Sequence, residues 1–313
     1  MSPSLTFSVT AAWAGLTVEQ LLKQQGFSKK AISRLKNSPR SFSLNDHRVN
    51  SDHVLRAGDI LNIPLDDQQP PAAAIVPWEQ SLTVVYDDEY FSVVDKPAGM
   101  PVQPLTCRET GTLMNGVVAR FPECRVLGDS PLMAGALHRI DADTSGLVLV
   151  ARSVQAFTNL RAQFAEQTVK KTYLALVEGS VAVGGTLEND LVHDPSLPFC
   201  RMIDARHNRL CEAEKRKLRP LHAVTNFKPI GHTTVENEER TLLEVTIYTG
   251  VTHQIRAQLA LAGFHIVNDR LYGAFAVENQ TGHGLHAWAA AFRHPVSGDE
   301  MEIRTSLPDW ARI

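Results

Sequence analysis

The alternation of apolar and polar side chains predicts several β-strands in the chain. Residues 82–86 and 91–95 are apolar runs separated by four mostly acidic residues, which is typical of a β-hairpin. Residues 147–151 are apolar throughout, so we expect a strand that is buried on both faces. In residues 171–177 the alternation places Tyr173 on the buried face of another strand.

Residues 243–247 alternate in the same way, and the segments 286–288 and 301–303 predict a C-terminal hairpin. Apolar side chains at helical spacing predict three helices between these strands. Their apolar stripes are Leu113, Val117 and Phe121; Phe157, Leu160 and Phe164; and Ile255, Leu259 and Ala262. Arg256 flanks the last stripe, from which its side chain can reach either solvent or the edge of a pocket.

The N-terminal part of the chain predicts two short helices and a few strands. A first helix begins near Thr17, and Ser28 is suited to cap a second one. The apolar side of the second helix leaves basic side chains pointing elsewhere: Lys29, Lys30, Arg34 and Lys36. Extended segments follow at 41–44 and 60–63. Residues 66–78 are polar, interrupted by proline and without periodicity, and we interpret them as a linker.

The composition is that of an ordinary globular protein, with 43% hydrophobic and 21% charged residues among 313. This length has room for one large domain and a small one. No apolar run is long enough to span a membrane, and the first basic residue is Lys23, so we expect a cytoplasmic protein. The four cysteines form no C-x-x-C pair, and we expect reduced thiols. Cys200, His207 and Cys211 cluster, but without the spacing of a zinc site.

The charge distribution is more informative than the net charge of −3. Residues 28–56 carry seven basic residues against two acidic ones, and residues 201–219 carry seven against three. Two basic segments on an acidic chain indicate localised contact with a polyanion. Either segment could instead be a solvated face, which is the more common case for a lone charge cluster.

The best candidate for chemistry lies in residues 137–152, where polar and charged side chains lead directly into the buried strand. Asp141 falls at the mouth of that strand, where a carboxylate loses hydration and needs a cation or several N–H donors to stay ionised. Arg139 is the nearest cation in sequence. Two other interpretations of Asp141 and Asp143 are a capped turn and a calcium loop. The calcium loop fails because Arg152 stands where a bidentate glutamate is required, so we expect no metal.

The string His138-Arg139-Ile140-Asp141, followed by residues 143–147, resembles the catalytic motif of the RluA-type pseudouridine synthases. Three further segments resemble motifs of the same family in the same order. They are Asp95-Lys96-Pro97-Ala98-Gly99, Lys171-Thr172-Tyr173-Leu174, and residues 249–256 ending in His253-Gln254-Ile255-Arg256. Several independent strings in order are harder to meet by chance than one. Residues 17–65 resemble the S4 RNA-binding module.

The resemblance implies that the chain isomerises uridine in structured ribosomal or transfer RNA, without a cofactor and as a monomer. It assigns Asp141 as the catalytic carboxylate, Arg256 as its ion-pair partner and Tyr173 as the residue against the uracil, with Ile255 in the apolar wall. It makes Arg139 the side chain that fills the space of the extruded base or holds a flanking phosphate. We add His138, and Lys29, Lys30 and Arg34 of the N-terminal module, as candidate RNA contacts.

We therefore predict an α+β fold. A catalytic domain at 79–313 would have a mixed, mainly antiparallel sheet with flanking helices. A small α/β S4-like module at 1–65 would precede it, joined by the linker at 66–78. Two other functions stay open: an RNA-binding ribosome-assembly factor without catalysis, and a nucleoside or glycoside hydrolase that uses two carboxylates.

Overall fold

The computed structural model describes residues 4–10, 13–24, 32–33, 35–36, 42–64, 75–128, 130–195, 201–206, 218–274 and 281–313. These residues form a ten-stranded sheet with three flanking helices, and a separate four-stranded sheet near the N-terminus. The predicted α+β fold with a mixed, mainly antiparallel sheet is confirmed.

The large sheet begins and ends, along the chain, with a hairpin. Its strands are β5 (Thr83–Asp87), β6 (Phe91–Lys96), β7 (Ser145–Ala151), β8 (Lys170–Glu178), β9 (Gly185–His193), β10 (Met202–Asp204), β11 (Leu221–Val235), β12 (Glu238–Ile247), β13 (Leu285–Arg293) and β14 (Glu300–Arg304). The spatial order is β10-β9-β11-β12-β8-β13-β7-β6-β5, and β14 pairs with β13. The strands β9 to β11 have no counterpart in the sequence prediction.

A parallel contact between β13 and β7 joins the two halves of this sheet, whereas the other neighbouring strands described pair antiparallel. Gly146 lies at this junction with a φ of +110°, where a Cβ atom would lie 2.3 Å from the Ala287 carbonyl oxygen. Glycine is therefore required for the two strands to approach. The junction places the start of β7, and Asp141 before it, beside the middle of the sheet.

Both faces of the sheet are covered by apolar side chains. Val148 and Val150 of β7 belong to the core on one face, whereas Leu147 and Leu149 belong to the core on the other. This confirms the prediction of a strand buried on both sides. The helices α2 (Leu113–Arg120), α3 (Val154–Ala165) and α4 (Gln254–Leu261) supply much of the remaining apolar surface.

The prediction for α4 was partly wrong. Ile255 and Leu259 are buried as expected, but Ala262 lies exposed just beyond the end of the helix. Instead, the helix buries polar residues as well, including Gln254, Gln258 and Arg256. A helix that is buried nearly all round has no single apolar stripe, and its polar side chains need partners inside the protein.

The N-terminal sheet has the order β1-β4-β2-β3 and is accompanied by α1 (Val18–Gln24) and by helical residues at 32–33 and 35–36, where the second helix was predicted. Its strands are β1 (Ser4–Ser8), β2 (Ser43–Leu44), β3 (His47–Arg48) and β4 (Ile60–Pro64). Thr17 and Gln20 close the start of α1 with reciprocal side-chain bonds to each other's backbone N–H groups. β1 lies within the predicted module at 1–65 but before residues 17–65, which carry the resemblance to S4, and that likeness stays a prediction.

The last residues of the predicted linker pack against the large domain. Ile75 is buried in its core, the Asn115 amide donates to the Val76 carbonyl, and the Trp78 N–H donates to the Asn115 carbonyl. Residues 65–74 lie outside the described part of the chain.

Candidate active site

Asp141 lies in the segment that leads into β7, and a buried lysine fixes that segment. Lys96 is fully buried at the end of β6, and its ammonium donates to the carbonyls of Pro97, Met100 and Ala142 at 2.7–2.8 Å. Burial lowers the pKa of Lys96 to about 8. Lys96 thereby connects the loop after β6 to Ala142, the residue that follows Asp141. This connection fixes the backbone next to Asp141.

The other side of this segment is held by a histidine. The Thr144 N–H donates to the Asp141 carbonyl at 3.1 Å, and the Thr144 hydroxyl lies 2.7 Å from Nε2 of the buried His283. Burial lowers the pKa of His283 to about 4, so the ring is neutral at neutral pH. Asp141 thus lies in a tight turn whose ends are anchored to β6 and to the start of β13.

A buried arginine binds the Asp141 carboxylate. Arg256 Nη1 donates to Asp141 Oδ2 at 2.8 Å, and its Nε and Nη2 donate to the two oxygens of Asp269 at 2.7 and 2.8 Å. Burial alone would lower the pKa of Arg256, but the two carboxylates outweigh it and raise that pKa above its ordinary value. The bidentate pair with Asp269 fixes the guanidinium plane, so an N–H of Nη1 is aimed at Asp141.

This geometry gives Asp141 a partner distant in sequence. Arg139, the nearest cation in sequence, is exposed, whereas Arg256 lies 115 residues away. The Asp141 side chain keeps 27% of its surface exposed, whereas the Asp269 side chain keeps 1%. Asp141 is therefore the carboxylate of this pair that a bound molecule can reach.

Two glutamines hold α4 in place beneath this network. The Gln254 amide nitrogen donates to the Val224 carbonyl and the Thr225 hydroxyl, and that hydroxyl donates to Gln258 Oε1 at 2.6 Å. The Gln258 amide nitrogen donates to the Ala223 carbonyl at 2.9 Å. Because these groups are buried and paired, α4 is locked onto β11 and cannot rotate without breaking several hydrogen bonds.

Tyr173 lies in the core beside the site, as its strand position predicts. It is buried and belongs to the same apolar cluster as Ile140 and Ile255. Burial raises the pKa of the Tyr173 hydroxyl, and the nearby charge of Asp141 adds to the rise. The hydroxyl is therefore protonated at neutral pH. The three side chains belong to one apolar cluster, and the charge of Asp141 acts on Tyr173 within it.

The loop that carries the start of α4 is tied to β8 by Lys171. Its ammonium donates to the carbonyls of Tyr248 and Thr249 at 3.0 and 2.6 Å, and burial lowers its pKa to about 8. Lys171 and Tyr173 lie on one face of the same strand, so this contact links the position of Tyr173 to that of Arg256.

A cavity of about 290 Å³ opens beside the arginine. Its described lining comprises Asp143, Arg256, Asn268, Asp269, Arg270, Leu271, Gly282 and His283. Asn268, which stands directly before Asp269, has a φ of +66°, a conformation that asparagine tolerates better than most residues. The turn that delivers Asp269 to Arg256 is therefore formed here without glycine.

The structure places the remaining candidate RNA contacts, Arg139 and His138, in different environments. Arg139 is exposed next to the site, as an RNA contact requires. His138 faces inward, since its Nε2 accepts from the Leu149 N–H at 3.1 Å and its ring stacks on Phe164. Burial, with the charge of Lys171, lowers the pKa of His138 to about 3. Its role in RNA binding stays a prediction.

Of the basic side chains of the predicted second helix, Lys29, Lys30 and Arg34 fall outside the described residues, whereas Lys36 is described and pairs with Glu19 at 2.5 Å. The cluster of Cys200, His207 and Cys211 lies outside the described residues too. Among the described residues, no three histidine, cysteine or carboxylate side chains lie close enough together to hold a metal ion. No helix among them is long and apolar enough to cross a membrane.

The sequence interpretation missed three residues of the site: Asp269, His253 and Tyr272. His253 Nε2 lies 3.7 Å from Asp141 Oδ1, and its Nδ1 lies 3.1 Å from the Tyr272 hydroxyl. A buried arginine on a helix needs more than one acceptor, so the burial of Arg256 indicates a second partner such as Asp269. Nothing local in the sequence indicates which distant acceptors it takes.

Comparison with known proteins identifies the family. The family model for RNA pseudouridylate synthase matches residues 90–261, which span β6 to the end of α4. The chain is 35% identical over 247 residues to the ribosomal large subunit pseudouridine synthase D of Neisseria meningitidis serogroup A. That alignment covers 75% of this chain and 61% of the relative, so less than two thirds of the Neisseria protein is represented.

A second relative is covered more completely. The RNA pseudouridine synthase YlyB of Bacillus subtilis is 30% identical over 267 residues, or 85% of this chain and 82% of that protein. Among solved structures, human RNA pseudouridylate synthase domain containing 1 superposes with a TM-score of 0.59 at 24% identity, covering 73% of this chain and 84% of that one. At that identity the likeness concerns the fold alone. The family match and the Bacillus relative confirm that this chain belongs to the RluA-type RNA pseudouridine synthases.

Proposed function

We propose that this chain isomerises uridine in structured RNA to pseudouridine, with Asp141 as the catalytic carboxylate. The observation that carries the proposal is the partly exposed Asp141, held by a buried arginine that a second carboxylate orients. The reaction breaks an N-glycosidic bond, turns the base and forms a C–C bond. It needs one ionised carboxylate and a wall for the freed base, and the described site offers both.

Arg256 binds Asp141 and fixes the orientation of its carboxylate, since Nη1 donates to Oδ2 at 2.8 Å. A carboxylate held in one orientation can act as nucleophile or base towards a bound substrate. Asp269 is closed to solvent, because 1% of its side chain is exposed and both of its oxygens accept from Arg256. It is therefore unsuited to serve as the second, water-activating carboxylate of a hydrolase, which favours isomerisation.

Tyr173 and Ile255 line the place of the uracil in this proposal. The ring of Tyr173 offers a flat apolar surface, and its hydroxyl is a hydrogen-bond donor because its pKa is raised. To take the C5 proton, the hydroxyl must first pass on its own proton, and we assign Asp141 as the acceptor because its charge acts on the Tyr173 hydroxyl. Arg139 is exposed at the rim and is assigned to the flanking phosphate or to the space left in the RNA stack.

The RNA class follows from the relatives. The Neisseria protein is named for the large ribosomal subunit, so large-subunit ribosomal RNA is the first substrate to test, with transfer RNA as the second. We assign residues 1–65 to an S4-like module that adds affinity, 66–78 to the connection and 79–313 to catalysis. The monomeric state and the cytoplasmic location are part of the same proposal.

Mapping of pseudouridines in cells tests the proposal. Ribosomal and transfer RNA from cells with and without this protein should differ at one or more uridines, and the lost sites should return with the wild-type protein. Complementation with Asp141→Asn serves as the control and should restore none of them. Identical maps with and without the protein would contradict the function.

A further inference from the structure

His253 stands directly before α4 in an unusual conformation. Its φ and ψ of 50° and 21° lie in the left-handed region, which histidine adopts rarely, and its side chain makes no capping bond to the helix. The neighbouring Gln254 pins this geometry, since its Oε1 accepts from the Thr249 hydroxyl and the Val251 N–H. A strained residue that its surroundings hold in place points to a role for its side chain.

The ring of His253 bridges two groups of the site. Nδ1 lies 3.1 Å from the Tyr272 hydroxyl, and Nε2 lies 3.7 Å from Asp141 Oδ1. The side chain is 13% exposed, so solvent competes little for either nitrogen. The other oxygen of Asp141 accepts from Arg256. His253 and Arg256 therefore face the two oxygens of one carboxylate.

The contacts of the Tyr272 hydroxyl favour one of the two neutral tautomers of His253. The Met202 N–H donates to that hydroxyl at 2.8 Å, so its oxygen is already an acceptor and its own proton is available to His253. Burial raises the pKa of Tyr272 to about 12, and the hydroxyl keeps this proton. Nδ1 then accepts, and a neutral ring carries its hydrogen on Nε2, towards Asp141.

The charges around His253 agree with a neutral ring. Burial lowers its pKa; Arg256 and His193 add to this, whereas Asp141 and Asp269 oppose it. Arg201 also lies near, with its guanidinium 5.8 Å from the centre of the Tyr272 ring. At neutral pH the ring is therefore uncharged, and Nε2 carries a hydrogen only in the tautomer that leaves Nδ1 unprotonated.

We propose that His253 is a positioning residue for Asp141, and that the Tyr272 hydroxyl and the Met202 N–H lock it in the tautomer that donates from Nε2. The gap of 3.7 Å is longer than a hydrogen bond, and it closes when RNA fills the site and the carboxylate turns. His253 then orients the free lone pair of Asp141 towards the substrate. This inference rests on the proposed function.

The variant Tyr272→Phe tests the lock through pH. Without the hydroxyl, the neutral ring can place its hydrogen on Nδ1 and turn a lone pair towards Asp141. Lower pH protonates both nitrogens and restores the Nε2 donor. We expect single-turnover rates at saturating RNA, each relative to wild type, to fall roughly 10- to 100-fold at pH 8.5 and to recover progressively as the pH is lowered below 6, because the lowered pKa of His253 places its protonation there.

Two further variants separate this role from a structural one. His253→Gln supplies an amide donor without a tautomer, so it should retain more activity than His253→Ala and should lose the pH-dependent recovery when combined with Tyr272→Phe. Tyr86→Phe is the matched control, because the Tyr86 hydroxyl bonds to Asp88 on the β5–β6 turn outside the site. RNA affinity should stay within about threefold of wild type in all of them, since each change acts through Asp141.

A readout independent of turnover completes the test. The ¹⁵N shifts of His253, assigned by their loss in His253→Gln, should show a protonated Nε2 and an unprotonated Nδ1 in the wild-type protein at pH 8. The opposite tautomer, or a Tyr272→Phe defect that does not change with pH, would overturn the proposal. Absence of isomerisation by the wild-type protein would instead contradict the proposed function, and the ¹⁵N shifts would still decide the lock.

Discussion

Two ion-pair clusters in this chain have the same arrangement, with one charged side chain between two side chains of opposite charge. They differ in their exposure to solvent. Arg256 lies between Asp141 and Asp269, with 9% of its side chain exposed. Glu19 of α1 lies between Lys23 and Lys36 at 2.7 and 2.5 Å, and all three side chains are at least 31% exposed.

The difference in solvent decides what each cluster does. Water and salt screen the Glu19 cluster, so its lysines stay mobile and its contribution to stability is small. The Arg256 cluster has little water to replace a missing partner, so removal of one charge leaves another uncompensated. The buried cluster can therefore hold a reacting group in one orientation, whereas the exposed one can at most bias a surface.

The largest effect is expected for Asp141→Asn, which removes the reacting group from the buried cluster with little change in shape. We predict a loss of at least ~10⁴-fold in single-turnover rate, with folding and RNA binding retained. Asp143→Asn is the matched control, since Asp143 is exposed and two residues away. A larger loss from Asp143→Asn than from Asp141→Asn would move the chemistry to Asp143.

A smaller but still large effect is expected for Asp269→Asn. The amide keeps one acceptor for Arg256 but removes the charge that fixes its plane, so Asp141 is held less well. We predict a rate about 10- to 100-fold lower and a stability lower by roughly 3 kcal/mol, measured by single-turnover kinetics and urea unfolding. A normal rate in a destabilised protein would mean that Asp269 supports the fold and not the site.

The basic N-terminal segment should affect binding and leave the chemistry unchanged. A fragment of residues 75–313 keeps Ile75, which packs in the core, and every assigned catalytic residue. It should bind RNA more weakly, and its log-affinity should depend less steeply on log salt, by roughly 0.7–0.9 for each phosphate that it no longer neutralises. Its rate at saturating RNA should match that of the full chain. Binding measured over a salt series tests this, and an unchanged slope would assign the module to something else.

The smallest effect is expected for Glu19→Gln, the same carboxylate-to-amide change in the exposed cluster. Lys23 and Lys36 lower the pKa of Glu19 to about 2 from 4.5, so its contribution is present above pH 4.5 and is lost as pH falls towards 2. At pH 7 we predict a melting temperature within about 3 °C of wild type and an unchanged rate. A large loss here would remove the distinction between the clusters.

The same contrast explains what the sequence could predict. Apolar periodicity identified β7, β8, β12 and the helices, because each apolar side chain needs no particular partner. The four family motifs brought Asp141, Tyr173 and Arg256 into one site. Polar contacts were less accessible: Asp269, His253 and the three carbonyls around Lys96 are brought together by the sheet, and no local pattern encodes their pairing. Of the long hairpin β11–β12, the sequence predicted the second strand and not the first.

The basic charge of residues 28–56 shows a related limit of counting. Lys36 belongs to that surplus, yet its ammonium pairs with Glu19, which lies outside the counted segment. A sum over a sequence window therefore overstates the positive charge that RNA meets, and the salt slope of the N-terminal module should be smaller than the formal surplus suggests.

Release of tritium from RNA labelled at C5 of uridine is the most direct measurement of the central claim. A new bond at C5 requires loss of the C5 hydrogen, so the wild-type protein should release tritium from ribosomal or transfer RNA in step with pseudouridine and without free uracil. Asp141→Asn should release none on the same timescale. Free uracil as the product, or tritium release that persists in Asp141→Asn, would contradict isomerisation by this carboxylate.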